Sequence, residues 1–65
     1  MIKFIGCVAE KFTKKQMSAV FEFYAFSYYH ACDKLEEISG IAINGESNYA
    51  DLCEIEENWW KVVDK

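Results

Sequence analysis

The chain has 65 residues, enough for one small domain and too few for a second. Hydrophobic residues make up 52% of it and aromatic residues 17%, a content that excludes an intrinsically disordered chain. The net charge is −4 and all seven basic residues are lysines, so direct nucleic-acid binding, which begins with neutralising phosphates, is not favoured.

The first predicted element is a strand over Ile2–Phe12, where β-forming residues make both faces fairly apolar, as in an inner or covered strand. Within it, Gly6 indicates either a bulge or close packing under an aromatic ring. A polar turn over Thr13–Gln16 leads to a second segment rich in aromatic and β-branched residues, Met17–Phe26. We expect these two strands to form an antiparallel hairpin.

A helix follows, with Ser27 as its N-cap and Gly40 in the left-handed position after its last turn. Its apolar positions are spaced three, four and three residues apart, which places them in one stripe. These positions are Tyr28, Ala31, Leu35 and Ile38. The pattern is typical of a helix that packs on a sheet.

The last part of the chain predicts one further strand, Tyr49–Glu56. Before it, Ile41–Asn44 is either a loop that covers the helix end or a small strand, and Asn44–Asn48 has turn chemistry. Trp59–Val63 either continues the third strand past a bulge or forms a fourth. The expected class is α+β in the order β-β-α-β, with the helix on one face of a three- or four-stranded antiparallel sheet.

Three cysteines, an odd number without a close pair, favour free thiols in a reducing compartment, and we expect a cytoplasmic protein. The apolar stretch between Lys3 and Glu10 has six residues, too short for a membrane span or a signal peptide. We expect no membrane partner.

Catalytic, metal and cofactor sites are not expected. His30 and Cys32 are two residues apart on the helix, so their side chains diverge. Those two residues with Cys7 and Cys53 lack the spacing of a zinc site. We therefore expect neither an enzyme nor a bound cofactor.

Acidic and aromatic side chains are the candidate binding groups. Residues 33–65 carry nine acids against three lysines, whereas residues 1–32 carry four lysines against two acids. The acids either form a patch for a basic partner or are a solvated outer face. Adjacent Trp59 and Trp60 point to opposite faces of an extended chain, which leaves one ring for an interface or a sheet edge. The predicted protein-binding residues are Tyr29, Glu36, Glu37, Glu54, Glu56, Glu57 and Trp59.

The run Phe21–Leu35 is an aromatic strand that ends at an alanine, a serine cap, and a helix with alanine in its first buried turn. It resembles small bacteriophage proteins that block host enzymes, such as the short phage inhibitor of bacterial RNA polymerase and phage antitoxin-like proteins. The resemblance implies a phage or mobile-element protein that inhibits by docking, including the anti-CRISPR and other counter-defence classes. It carries over no functional residue.

The expected function is therefore non-enzymatic inhibition of a host protein or nucleoprotein complex with a basic surface, in the host cytoplasm. Charge reversal at Glu54 and Glu56 should slow association and weaken its dependence on salt. The alternative is a small self-assembling structural or accessory protein, for which the partner is a second copy in a homodimer.

Overall fold

The structure is a computed structural model, and it describes residues 1–55. Within this range the elements are β1 (Ile2–Glu10), β2 (Phe21–Ala25), α1 (Tyr28–Ser39) and β3 (Asn48–Ile55). The predicted β-β-α-β order is confirmed. The segment Trp59–Val63, interpreted as a fourth strand or a continuation, lies outside the described residues.

The three strands form one antiparallel sheet in the order β2-β1-β3, so the first strand is the inner one, as predicted. On β1, Phe4 lies between Phe23 of β2 and Glu54 of β3. These cross-strand partners share one face of the sheet, because side chains alternate along each strand. The other face carries Cys7 beside Asp51.

The hairpin connection is longer than predicted. The Glu10 N–H donates to the Lys15 carbonyl at 2.8 Å, and the Lys14 N–H donates to the Glu10 carbonyl at 2.9 Å. Lys14 has a positive φ of 64°, which turns the chain at this point. The prediction that β1 continues to Phe12 is wrong, since the strand ends at Glu10 and the Phe12 side chain is 80% exposed.

The second strand is also shorter than predicted, because a side chain interrupts its pairing with β1. An isolated bridge joins Ala9 to Gln16. Beyond it, the Val8 N–H donates to the Ser18 Oγ at 2.9 Å, where a regular strand would offer a backbone carbonyl. Such local side-chain bonds compete with ladder bonds. Regular pairing therefore resumes only at Phe21.

Both predicted helix ends are confirmed. Ser27 has extended backbone, and its Oγ accepts the His30 N–H at 3.2 Å. Gly40 has a φ of 74°, and its N–H donates to the Glu36 carbonyl at 3.1 Å. These two caps satisfy backbone groups that the helix itself leaves without partners.

The core lies between α1 and the face of the sheet that carries Phe4. Ala31 packs near Phe4, and Leu35 packs one turn further along against Val8 and Ala50. All five side chains are buried. The predicted apolar stripe is therefore buried at its centre.

The segment after α1 is a loop that covers the helix end, which is the first of the two predicted alternatives. Ile43 packs on the Leu35 side of the core, and its N–H donates to the Glu36 Oε2 at 2.8 Å. Asn48 is buried and holds the loop from inside. Its Oδ1 accepts the Asn44 N–H at 3.0 Å and its Nδ2 donates to the Ala42 carbonyl at 2.9 Å.

Candidate protein-binding site

The side of α1 that points away from the sheet presents one aromatic ring and two carboxylates in a row. Tyr29, Asp33 and Glu37 are four residues apart, so they lie above one another on the helix surface. Tyr29 is 84% exposed, and the two acids are also exposed. We refer to these three residues as the outer face of α1.

The outer face of α1 is negative. In the part of the chain that the structure describes, neither Asp33 nor Glu37 takes part in an ion pair. The helix contains one lysine, Lys34, whose Nζ donates to the Tyr24 carbonyl at 2.7 Å and so extends toward β2. Glu37 also lies in the last turn, where a carboxylate interacts unfavourably with the helix dipole. Helix stability therefore does not explain its presence.

The two adjacent tyrosines at the start of α1 have different environments. The Tyr28 hydroxyl donates to the Ala50 carbonyl at 3.2 Å, and its ring lies edge-on to Phe4 with centroids 6.5 Å apart. Tyr29 contacts the Tyr28 ring edge-on, also at 6.5 Å between centroids. Tyr28 thus joins the helix to the sheet, and Tyr29 projects from this support into solvent.

A second exposed aromatic ring, Phe26, lies just before the helix. It is 71% exposed and stacks on His30 with ring centroids 5.3 Å apart. The Phe26 N–H donates to the His30 Nδ1 at 3.0 Å, so this nitrogen carries a lone pair in the structure. The histidine thus holds the end of β2 to the helix, a local role that differs from catalysis.

The structure brings together only some of the predicted binding residues. Tyr29 and Glu37 share the outer face of α1, whereas the Glu36 carboxylate is occupied by the Ile43 N–H. Glu54 is exposed on β3, not on the helix. Three further predicted residues lie outside the described range: Glu56, Glu57 and Trp59.

Sequence reasoning missed Asp33 and Phe26. Asp33 is four residues from both Tyr29 and Glu37, so the helical period could have placed it between them. No such pattern marks Phe26. Its place in the alternating pattern of the predicted second strand does not show that the strand ends at Ala25.

The thiols of Cys7 and Cys32 are poor candidates for nucleophiles. Burial raises the pKa of the Cys7 thiol, and the Asp51 carboxylate raises it further. Burial also raises the pKa of Cys32, and so does Asp33, while a hydrogen bond with Tyr28 acts in the opposite direction. A thiol with a raised pKa is mostly protonated near neutral pH and therefore reacts slowly.

His30 and Cys32 diverge as predicted. His30 lies against Phe26 on the β2 side, whereas Cys32 interacts with Tyr28. Among residues 1–55, no three His, Cys, Asp or Glu side chains are grouped as a metal site would require. Over the same range no helix has the length and apolar character needed to cross a bilayer.

Over residues 1–55 the fold is that of a small α+β domain, with one helix on a three-stranded antiparallel sheet. Comparison with protein-family models, with curated proteins and with solved structures gives no match.

Proposed function

We propose that this chain is a non-enzymatic inhibitor that docks on a partner protein through the outer face of α1. The observation that carries the proposal is Tyr29, a large ring that is 84% exposed and flanked along the helix by Asp33 and Glu37. Tyrosine is enriched among residues that dominate binding energy, because its ring offers a large contact area with a polar end. The edge-on contact with Tyr28 supports the Tyr29 ring, so the Tyr29 side chain loses little conformational freedom on binding.

The partner has a basic surface. Among residues 1–55, Asp33 and Glu37 lie beside Tyr29 without a compensating cation on the same face. Complementary charges accelerate diffusional encounter and select against acidic partners. Carboxylates on an exposed helix face can mimic phosphates, and the chain inhibits by occupying a basic surface that otherwise holds nucleic acid.

The host and biological setting follow from the resemblance of Phe21–Leu35 to phage inhibitors. The local features behind that resemblance are an aromatic strand ending at Ala25, the Ser27 cap and the buried Ala31. They support a phage or mobile-element protein of the counter-defence or host-takeover type, including the anti-CRISPR class.

A self-assembling protein is the second candidate, and the long hairpin connection favours it. Phe12, Met17 and Val20 are exposed there. The same connection carries three lysines, which are Lys11, Lys14 and Lys15. This basic and apolar tip complements the acidic, aromatic outer face of α1 in a second copy. Sedimentation of the isolated chain distinguishes the candidates, since only self-assembly gives a concentration-dependent oligomer without a partner.

Replacing Tyr29 with alanine should weaken partner binding at least about tenfold, because a hot-spot ring contributes 2 kcal/mol or more. The measurement is capture of the partner from a bacterial lysate, followed by titration of the purified partner. The matched control is Phe12→Ala, which removes a ring that is 80% exposed in the connection between β1 and β2. Equal losses for the two variants would contradict a specific role for the outer face.

Reversing the charge of Glu37 to lysine should slow association and reduce its dependence on salt. Glu46→Lys is the control, because it makes the same change in net charge in an exposed loop. Stopped-flow association rates at low and high salt separate a local effect from an effect of net charge. If both variants slow association equally, the carboxylates of α1 do not guide the encounter.

A further inference from the structure

The two edges of the sheet differ in how their backbone groups are satisfied. In an antiparallel strand, the N–H and C=O of one residue point to the same side, and successive residues alternate. On β3, the Ala50 carbonyl accepts the Tyr28 hydroxyl and the Asn48 carbonyl accepts the Gly45 N–H at 3.1 Å. Since these partners lie outside the sheet, even-numbered residues of β3 direct their backbone groups away from β1. Leu52 and Glu54 belong to this set.

The pairing of β1 on its other side supports the same assignment. The backbone groups of Val8 point toward the β2 side. There the Val8 N–H donates to the Ser18 Oγ, and the Val8 carbonyl accepts the Met17 N–H at 2.7 Å. Val8 is the partner of Ala50 in the β1–β3 register. The Val8–Ala50 pair is therefore one that exchanges no backbone bonds, and the bonded pairs are the odd-numbered ones.

The outer edge of β3 is open at its C-terminal half. Within residues 1–55, no hydrogen bond reaches the outward N–H and C=O groups of Leu52 or Glu54. The strand contains no proline and no lysine, which natural proteins use to protect such edges. An unprotected row of this kind is a template for another strand.

Side chains of α1 also occupy the β2 edge, at Tyr24 and Phe26. The Lys34 Nζ donates to the Tyr24 carbonyl at 2.7 Å, and the His30 Nδ1 accepts the Phe26 N–H at 3.0 Å. Because Lys34 and His30 are one helical turn apart, the helix closes this edge over two successive outward positions. Among the described residues, α1 therefore occupies two outward positions of the β2 edge, whereas it reaches the β3 edge at Ala50 and leaves Leu52 and Glu54 open.

We propose that the outer edge of β3, from Asp51 to Glu54, binds an extended segment of a partner protein that carries lysine or arginine, as an added strand of the sheet. Main-chain hydrogen bonds to Leu52 and Glu54 supply the binding, and flanking side chains set the preference. The surface is separate from the outer face of α1, so the proposal does not depend on the role of Tyr29.

The charge of the partner segment follows from the acids on the two sides of this edge. Glu54 lies on the face of the sheet that carries Phe4, and Asp51 lies on the opposite face beside Cys7. Both acids are exposed, and in the described part of the chain neither forms an ion pair. An added strand therefore meets a carboxylate on each of its faces, which favours basic side chains.

A second copy fits this edge less well. A second β3 strand would bring acids and no lysine to this edge, and a twofold axis at Leu52 would place the two copies of Asp51 diagonally across from each other on one face of the sheet. Like charges on neighbouring strands are destabilising. The occupant is therefore a basic segment of another protein.

Amide hydrogen exchange tests the open edge directly. In the free protein, the Leu52 and Glu54 amides should exchange at least about tenfold faster than those of Asp51 and Cys53, which bond to β1. Addition of the capped peptide Val-Lys-Val-Val-Lys-Val, whose two lysines lie on opposite faces of a strand at the spacing of Asp51 and Glu54, should then slow exchange at Leu52 and Glu54. Equal exchange rates in the free protein, or no added protection with the peptide, would overturn the proposal.

Two peptide controls and one pair of variants identify the mode of binding. The same peptide with methylated backbone nitrogens, and the peptide Val-Glu-Val-Val-Glu-Val, should not protect these amides. Glu54→Lys should weaken the basic peptide about tenfold, whereas Glu46→Lys, with the same charge change in the 44–47 loop, should not. Undiminished binding of the methylated peptide would overturn strand addition. Protection that rises with protein concentration in the absence of peptide would assign the edge to a second copy instead.

Discussion

Replacing Gly6 with alanine is expected to lower the free energy of unfolding by at least about 3 kcal/mol. A Cβ at Gly6 would overlap the Asp51 carbonyl oxygen of the neighbouring strand and would lie 2.8 Å from the Leu52 Cδ2. The Leu52 side chain can move, but the carbonyl belongs to the sheet backbone. The β1–β3 pairing must therefore separate locally, and a domain of this size has little stability to lose.

The control for this variant is Gly45→Ala, measured by the same urea denaturation. Gly45 has a φ of 75°, but no atom lies within 4 Å of an added Cβ. Its replacement should cost about 1 kcal/mol, the backbone penalty of a left-handed conformation. If Gly6→Ala is no more damaging than Gly45→Ala, then close packing does not explain why glycine stands at position 6.

Replacing Leu35 with alanine is expected to cost about 3 to 4 kcal/mol, through lost burial and the cavity left behind. Leu35 is fully buried between α1 and the sheet, against Val8 and Ala50. In a domain of this size, such a loss should lower the melting temperature by more than about 12 °C. Calorimetry or circular dichroism during heating measures the shift.

Ile38→Ala is the matched control, since Ile38 lies on the same predicted stripe, one turn further along the helix. Its side chain is 47% exposed. Truncation there removes partly hydrated surface and should cost only about 1 kcal/mol. Similar losses at Leu35 and Ile38 would show that the core extends further along α1 than the packing indicates.

The outer face of α1 and the edge of β3 are both acidic, but they differ in kind. The first is a side-chain surface around Tyr29 that depends on no backbone group of the helix. The second offers main-chain hydrogen bonds beside Leu52 and Glu54. Tyr29→Ala and Glu54→Lys therefore report on different contacts, and each can fail without the other.

The helix was predictable because its determinants are local. The Ser27 cap, the Gly40 stop and the spacing of Ala31 and Leu35 all lie within one segment of 14 residues, Ser27 to Gly40. The short-range hydrogen bonds that these residues make need no distant partner. For the same reason, the position of Tyr29 on the helix surface, opposite the buried stripe, followed from the period alone.

The bounds of the hairpin were not predictable, because they depend on a contact across two strands. The sequence Met17–Val20 is compatible with a strand, and only the bond from the Val8 N–H to the Ser18 Oγ shows why regular pairing ends there. The same holds for Gly6. Its sequence context suggested close packing under a ring, whereas the contact is with the Asp51 backbone and Leu52.

The candidate sites show the same difference between features that local sequence determines and features that tertiary contacts determine. Composition and order alone determined an acidic, aromatic α+β domain, since charge count and local periodicity require no knowledge of neighbours. Only the tertiary structure decided that Glu36 holds Ile43 and that Asp33 joins Tyr29 and Glu37. It also decided that α1 occupies the β2 edge at Tyr24 and Phe26 while, among residues 1–55, the β3 edge stays open at Leu52 and Glu54. The physical reason is that a backbone group or carboxylate is available for a partner only when the fold has not already satisfied it.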